Sequence, residues 1–153
     1  MPTSEPPRVH HLAVQTADVD NSIAWYRAFF GCEATWELDR FSPLTHSRLP
    51  GIRRLVELTA GDLRFHVFGR DGVHGTVPPL PAQLQHVCMQ VPSLPDLENW
   101  RRRWFALHDS GDYTFAGDDV ATEIVVDDDG VASFYAQDVN GLEFEFTCLP
   151  GGA

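Results

Sequence analysis

The sequence resembles itself, and that constrains the fold more than any other feature. Sliding it by 75 positions lays Val9–Phe30 over Leu84–Phe105. His11 then falls on His86, Gln15 on Gln90, Trp25 on Trp100, Arg27 on Arg102 and Phe30 on Phe105, five identities in 22 positions. A second echo, at a slightly longer offset, lays Leu63-Arg64-Phe65-His66-Val67 over Leu142-Glu143-Phe144-Glu145-Phe146. A chain of 153 residues has the length of one domain, so a single internal repeat makes that domain a pair of smaller units. The units span 8–70 and 83–148 within one domain over 8–148. The linker between them, over 69–82, is rich in glycine and proline, which suit neither helix nor strand interiors.

Each half reads as β-α-β-β-β. In the first, His10–Thr16 predicts a short strand and Asp18–Asp20 a helix start. A helix follows over Asn21–Phe30, with Ile23, Tyr26, Phe29 and Phe30 spaced for an apolar face and Gly31 as its C-cap. Strands are expected at Glu33–Leu38, Leu55–Thr59 and Leu63–Phe68, the last two joined by the turn Ala60-Gly61-Asp62. The second half predicts a strand at Leu84–Val91 and a helix at Leu94–Leu107. Further strands are expected near Tyr113–Phe115, Glu123–Val126, Val131–Gln137 and Leu142–Cys148, one more than the pattern needs. Asp127-Asp128-Asp129-Gly130 reads as a hairpin turn, Arg101-Arg102-Arg103 as a solvated helix face, and Trp25 and Trp100 as core. The fold class is α+β.

Charge narrows the partners. With 22 acids against 11 bases the formal net charge is −11, which repels phosphate backbones and anionic lipid, so no nucleic acid and no membrane is expected as a partner. All the bases are arginine; the absence of lysine excludes Schiff-base chemistry and a P-loop. Cys32, Cys88 and Cys148 form no CxxC pair and no disulfide framework, and no apolar run approaches the roughly 20 residues of a membrane span. A cytoplasmic location is the expectation.

Two stretches carry a resemblance to a known family. The chain opens its repeat with His11-Leu12-Ala13-Val14 and Asp18-Val19-Asp20-Asn21-Ser22-Ile23-Ala24-Trp25-Tyr26. It closes with Phe134-Tyr135, then Asp138, Gly141 and Glu145. With the repeated β-α-β-β-β pattern, nearly the whole chain resembles the vicinal oxygen chelate superfamily of glyoxalase, fosfomycin- and bleomycin-resistance, epimerase and extradiol dioxygenase proteins. The resemblance implies two modules whose mixed sheets form a cup around a divalent metal, with ligands from the first and last strands. Carried over, it implies His11, His86 and Glu145 as metal ligands, with His66 as either a fourth ligand or an acid–base residue. Two imidazoles and a carboxylate suit Fe(II) with open positions. Strand parity puts His11, Ala13 and Gln15 on one face and His86, Cys88 and Gln90 on another, while Phe144 and Phe146 turn away from Glu145 into the core. A lone histidine on an apolar strand is commonly a hydrogen-bonded core residue; two at equivalent places with a carboxylate at the third favour ligation. His10 precedes the strand and is expected to be exposed; His46, His74 and His108 fall in loops or at a helix end.

Within the superfamily, Phe134-Tyr135 ahead of Asp138, Gly141 and Glu145 resembles the extradiol dioxygenase signature. It departs from it at Val126, Asp127 and Asp128, where that group has a histidine, and at Val139, where it has proline. The resemblance implies cleavage of a catechol with Fe(II) and O2, Tyr135 hydrogen-bonding at the metal and His66 moving the proton. A single module pair of this size resembles the small L-DOPA 2,3-dioxygenases of antibiotic biosynthesis. Arg48, Gln15, Gln90 and His46 are the expected substrate contacts, with Arg48 for a carboxylate. Two alternatives stand beside it: a glyoxalase- or epimerase-like lyase or isomerase using Zn, Ni or Mn with His66 as a ligand, and a metal-free drug-binding protein. Members pair modules within a chain or swap them between chains, so a homodimer is compatible.

Overall fold

The computed structural model describes residues 9–72 and 86–151. The first module runs β1 (Leu12–Thr16), α1 (Val19–Phe30), β2 (Glu33–Leu38), α2 (Pro43–Arg48), β3 (Ile52–Ala60) and β4 (Leu63–Arg70). The second runs β5 (Val87–Gln90), α3 (Leu94–Ser110), β6 (Val125–Val126), β7 (Ala132–Gln137) and β8 (Glu143–Cys148). Each module forms one four-stranded mixed sheet, ordered β1-β4-β3-β2 and β5-β8-β7-β6. In both, the first strand pairs parallel with the last and the remaining pairs are antiparallel. The repeat seen in the letters is therefore a repeat of topology, and the fold is of the expected α+β class.

Local chemistry sets the elements. Asp18 caps α1 by accepting from Asn21 N at 3.1 Å, and Ser93, 75 positions on, caps α3 by accepting from Asp96 N at 3.3 Å. Gly31 ends α1 at φ 72°, where Gly31 N donates to Arg27 O and Cys32 N to Tyr26 O. A Cβ on Gly69 would stand 2.2 Å from Val19 Cγ2, so β4 and the start of α1 meet only because residue 69 has no side chain.

An aromatic core joins the modules. Phe29 and Phe30 of α1 meet Trp100 of α3 at 5.2 and 6.0 Å between ring centroids, and Phe30 meets Phe144 of β8 at 5.4 Å. Trp25 is buried and Trp100 is partly buried against this cluster, as expected of core residues. Asp138 adds a polar staple. Only 1% exposed, its carboxylate accepts from Tyr26 Oη at 2.9 Å and from the amides of Asn140 and Leu142 at 2.8 Å each. The aspartate of the closing motif thus ties the β7–β8 turn to α1 of the other module.

Several expectations are corrected. No strand forms at Tyr113–Phe115, because the Asn21 side chain claims the Thr114 backbone at both its carbonyl (2.8 Å) and its amide (2.9 Å), and Phe115 turns inward onto Trp104. The surplus strand is the one that does not exist. His46 lies in a helix rather than a loop: α2 starts at an N-cap, Ser42, with Pro43 in its first turn. Arg101 is not simply solvated; it pairs with Glu123 at 2.8 Å and lies over the Phe105 ring. The Asp127–Gly130 turn forms, closed by Gly130 N to Asp127 O at 2.8 Å. β4 continues through Gly69 and Arg70, so the expected linker begins inside a strand. Its remainder from Val73, together with His74, Leu84 and Gln85, lies outside the described residues. Among those described, no helix is long and apolar enough to cross a membrane.

Candidate functional site

The strand ladders place the repeat-related residues in register. Ala13 of β1 pairs with His66 of β4, and Cys88 of β5 pairs with Glu145 of β8. One strand further, Glu57 of β3 pairs with His66 and Tyr135 of β7 pairs with Glu145. His66 and Glu145 are therefore equivalent donors, and Glu57 and Tyr135 are their equivalent neighbours.

In the first module, the His11 and His66 rings stack at 3.7 Å with 11° between planes. His66 Nε2 lies 3.0 Å from Glu57 Oε2, and Glu57 Oε1 accepts from Thr35 Oγ1 at 2.6 Å. The Thr35 hydroxyl, then His66 and Arg64, hold the Glu57 carboxyl below the usual carboxylate range against the opposing effect of burial. An ionised carboxylate only accepts, so His66 donates to Glu57 through Nε2. Partial burial first, then the neighbouring His66 and His10, push the His11 imidazole down and keep it neutral at pH 7. Glu57→Ala should cost about 1–3 kcal/mol, since it strands the His66 N–H in a buried position, while the Thr35 hydroxyl on the exposed β2 turns to water; the shift of the urea midpoint reads it.

In the second module the polarity is reversed: the equivalent donor is the carboxylate and its neighbours supply the hydrogens. His86 Nε2 lies 3.0 Å from Glu145 Oε2, and Tyr135 donates to the same carboxylate. Burial first, then Glu145, raise the Tyr135 phenol above its ordinary value and push the Cys88 thiol up to about 11, so both keep their protons.

The structure brings His11 together with His66, and His86 with Glu145, but on two sheets that share no ladder. Among the described residues the group of three metal-type donors with ligand atoms all within 4.8 Å of one another is His10, His11 and His66, and it includes neither His86 nor Glu145. The donor chemistry of both halves, neutral imidazole and carboxylate, fits a divalent first-row ion.

The face of the first sheet that carries His11 and Gln15 opens on a cavity of about 520 Å3 roofed by α2. Leu38, Phe41, Leu44, Leu55 and Phe68 give it apolar walls, and Arg48 is the one arginine among the described residues that line it. Gln15 accepts from Arg70 through Oε1, which leaves its amide N–H groups for a ligand. Gln90 lines a different, smaller cavity beside Cys88 and Trp100, and His46 is exposed with its ring edge-on to Phe41. Sequence reasoning missed Glu57 and Thr35. The available signal was a carboxylate in the apolar run Leu55-Val56-Glu57-Leu58, a residue only 5% exposed.

Two β-α-β-β-β modules with a histidine at the head of each first strand and an imidazole or carboxylate on each last strand define a vicinal oxygen chelate domain. The chain belongs to the Glyoxalase/Bleomycin resistance protein/Dioxygenase superfamily, whose family model matches residues 8–146. Among solved structures, it is similar to a glyoxylase/bleomycin resistance protein/dioxygenase domain from Frankia sp. EAN1pec, with TM-score 0.72, 17% identity and 97% and 96% of the two chains covered. It is also similar to a lactoylglutathione lyase from Agrobacterium tumefaciens, with TM-score 0.60, 20% identity and 95% and 96% covered. A third is the fosfomycin resistance protein FosX from Listeria monocytogenes in complex with Mn(II) and sulfate, with TM-score 0.56, 14% identity and 97% and 93% covered. At these identities the likeness is one of fold. No curated protein matches the sequence. The superfamily comprises metal-dependent enzymes, lyases and dioxygenases among them, that act on small molecules.

Proposed function

We infer that the protein is a metal-dependent dioxygenase that opens the ring of a small catechol bearing a carboxylate, L-DOPA being the substrate to test first. The observation that carries this reading is the cavity beside His11: apolar walls for an aromatic ring, and Arg48 to take a carboxylate. His11, His86 and Glu145 hold the metal in this reading. Because His11 and the His86–Glu145 pair lie on separate sheets, the full set forms between two copies of the chain, each giving one half-site to the other.

Fe(II) at this site supplies one-electron chemistry between an ionised catechol and O2, both of whose atoms end in the ring-opened product. The chain's own residues manage position and protons. Arg48 anchors the carboxylate, and Leu38, Phe41 and Phe68 hold the ring and exclude water. His66 Nδ1 accepts the catechol proton, and ionised Glu57, on Nε2, stabilises the imidazolium that results. Tyr135 fixes the Glu145 carboxylate from behind.

The Glu57–His66 couple also favours a second reading, a lyase or isomerase using Zn, Ni or Mn, with the same couple as its proton-moving base. A metal-free drug-binding role gains no support from donors that recur at equivalent ladder positions. Anaerobic loading with Fe(II), followed by O2 and L-DOPA, should consume O2 and give a yellow ring-opened product. No uptake with any catechol, alongside turnover supported by Zn, Ni or Mn, overturns the dioxygenase reading in favour of the second. Arg48→Ala should raise KM about 10–100-fold with kcat little changed, as loss of one charge-assisted contact predicts.

A further inference from the structure

We propose that His10 completes a three-imidazole metal site with His11 and His66 inside a single chain, able to take up one divalent transition ion before any second copy arrives. The site shares His11 with the composite metal site above, and His66 with the acid–base couple beside it, but does not depend on that reading. His10 precedes β1, where the chain is not yet extended in a ladder, so neighbouring positions 10 and 11 are not forced to opposite faces. Their Nδ1 atoms lie 3.0 Å apart. The His10 ring stands edge-on to His11 at 5.3 Å and to His66 at 6.1 Å. One ring nitrogen from each of the three lies within 4.8 Å of the others. Tetrahedral coordination at about 2.0–2.1 Å places ligand nitrogens about 3.3 Å apart. The exposed His10 and His11 reach that spacing by side-chain rotation, while buried His66 stays fixed.

The surroundings match an ion of the zinc, cobalt or nickel type. Three neutral imidazoles with an open fourth position form a known catalytic-type set. Glu57 on His66 Nε2 is the outer carboxylate that such histidines carry. One contact opposes the site: Arg64 donates to His10 Nε2 at 3.0 Å. Arg64 is exposed, with 40% of its side chain accessible, and already lies 3.5 Å from Glu57, so it can leave His10 and retain a partner. His10 then carries its proton on Nε2 and presents Nδ1.

The test is metal stoichiometry and the visible spectrum of bound Co(II), read on full-length chains that retain the native circular dichroism. A His86→Ala, Glu145→Ala double variant, which lacks the second half-site, should still take up one equivalent of Zn(II) or Co(II) per chain with a tetrahedral Co(II) band. Adding His10→Ala to that variant should abolish both. A double variant that binds nothing while wild type binds overturns this proposal and leaves the composite site standing. Uptake by the double variant that survives His10→Ala also overturns it. Wild type that binds no divalent ion at all overturns both readings together.

Discussion

Neither His11→Ala nor His86→Ala should turn over substrate, yet an equimolar mixture of the two should recover about a quarter of wild-type activity. The figure follows from the closed symmetry of a dimer in which each site takes one module from each chain. Random exchange makes half the dimers mixed. In a mixed dimer one site has lost both histidines, while the other joins the intact first module of one chain to the intact second module of its partner. One site in two, in half the dimers, is a quarter of all sites. If the modules of one chain closed on each other instead, every site would keep one defect and the mixture would stay inactive. Steady-state rates before and after subunit exchange separate the outcomes, and a sedimentation measurement checks that exchange has occurred.

The largest loss of stability should come from Asp138→Ala. The substitution leaves the Tyr26 hydroxyl and the amides of Asn140 and Leu142 without their acceptor in a site that water does not reach. Each stranded buried donor costs about 1–3 kcal/mol, so a total of roughly 3–5 kcal/mol is expected. That is a large share of the 5–15 kcal/mol typical of a domain. Because the staple crosses from one module to the other, denaturant should also separate the modules earlier. Asp138→Asn retains an acceptor and should cost less. The two differ in pH dependence as well. Burial, ahead of the opposing hydrogen bonds, raises the Asp138 carboxyl above its ordinary value. The native state then holds this proton where the unfolded chain, near pH 4, has already released it. Its contribution to stability is full below that point, declines as pH rises through the raised native value, and is flat beyond. Urea midpoints at a series of pH values should show this slope in the natural chain and not in the asparagine variant.

The repeat made most of the architecture legible. An offset of 75 positions matched not only His11 with His86 but also Asp18 with Ser93, which both turn out to be helix caps. β2 was readable to the residue, its letters alternating from Glu33 to Leu38 between Gly31 and the Asp39-Arg40 pair. What escaped was decided by distant partners. The Tyr113–Phe115 segment has the letters of a strand, but Asn21, 93 residues away, takes its hydrogen bonds. Glu57 drew no reading of its own, because its role depends on Thr35 of β2 and His66 of β4 meeting its carboxylate. The donors were visible as residue types at related places. Their grouping into two separate pairs was not, since that depends on how two helices and an aromatic core set one sheet against the other.

The exchange of a carboxylate for an imidazole between equivalent ladder positions also sets an electrical balance. Where the second module offers Glu145, the first offers His66, so the three proposed ligands and the His66 base carry one negative charge between them rather than two. A divalent ion among them keeps a single positive charge, inside a chain whose formal net charge is −11. A reacting group that arrives neutral and departs from its proton, as a phenol does, brings that centre to zero. A doubly charged phosphonate overshoots it. The module that diverged thereby fixes which ionic form of a substrate the finished site can hold without an unpaired charge.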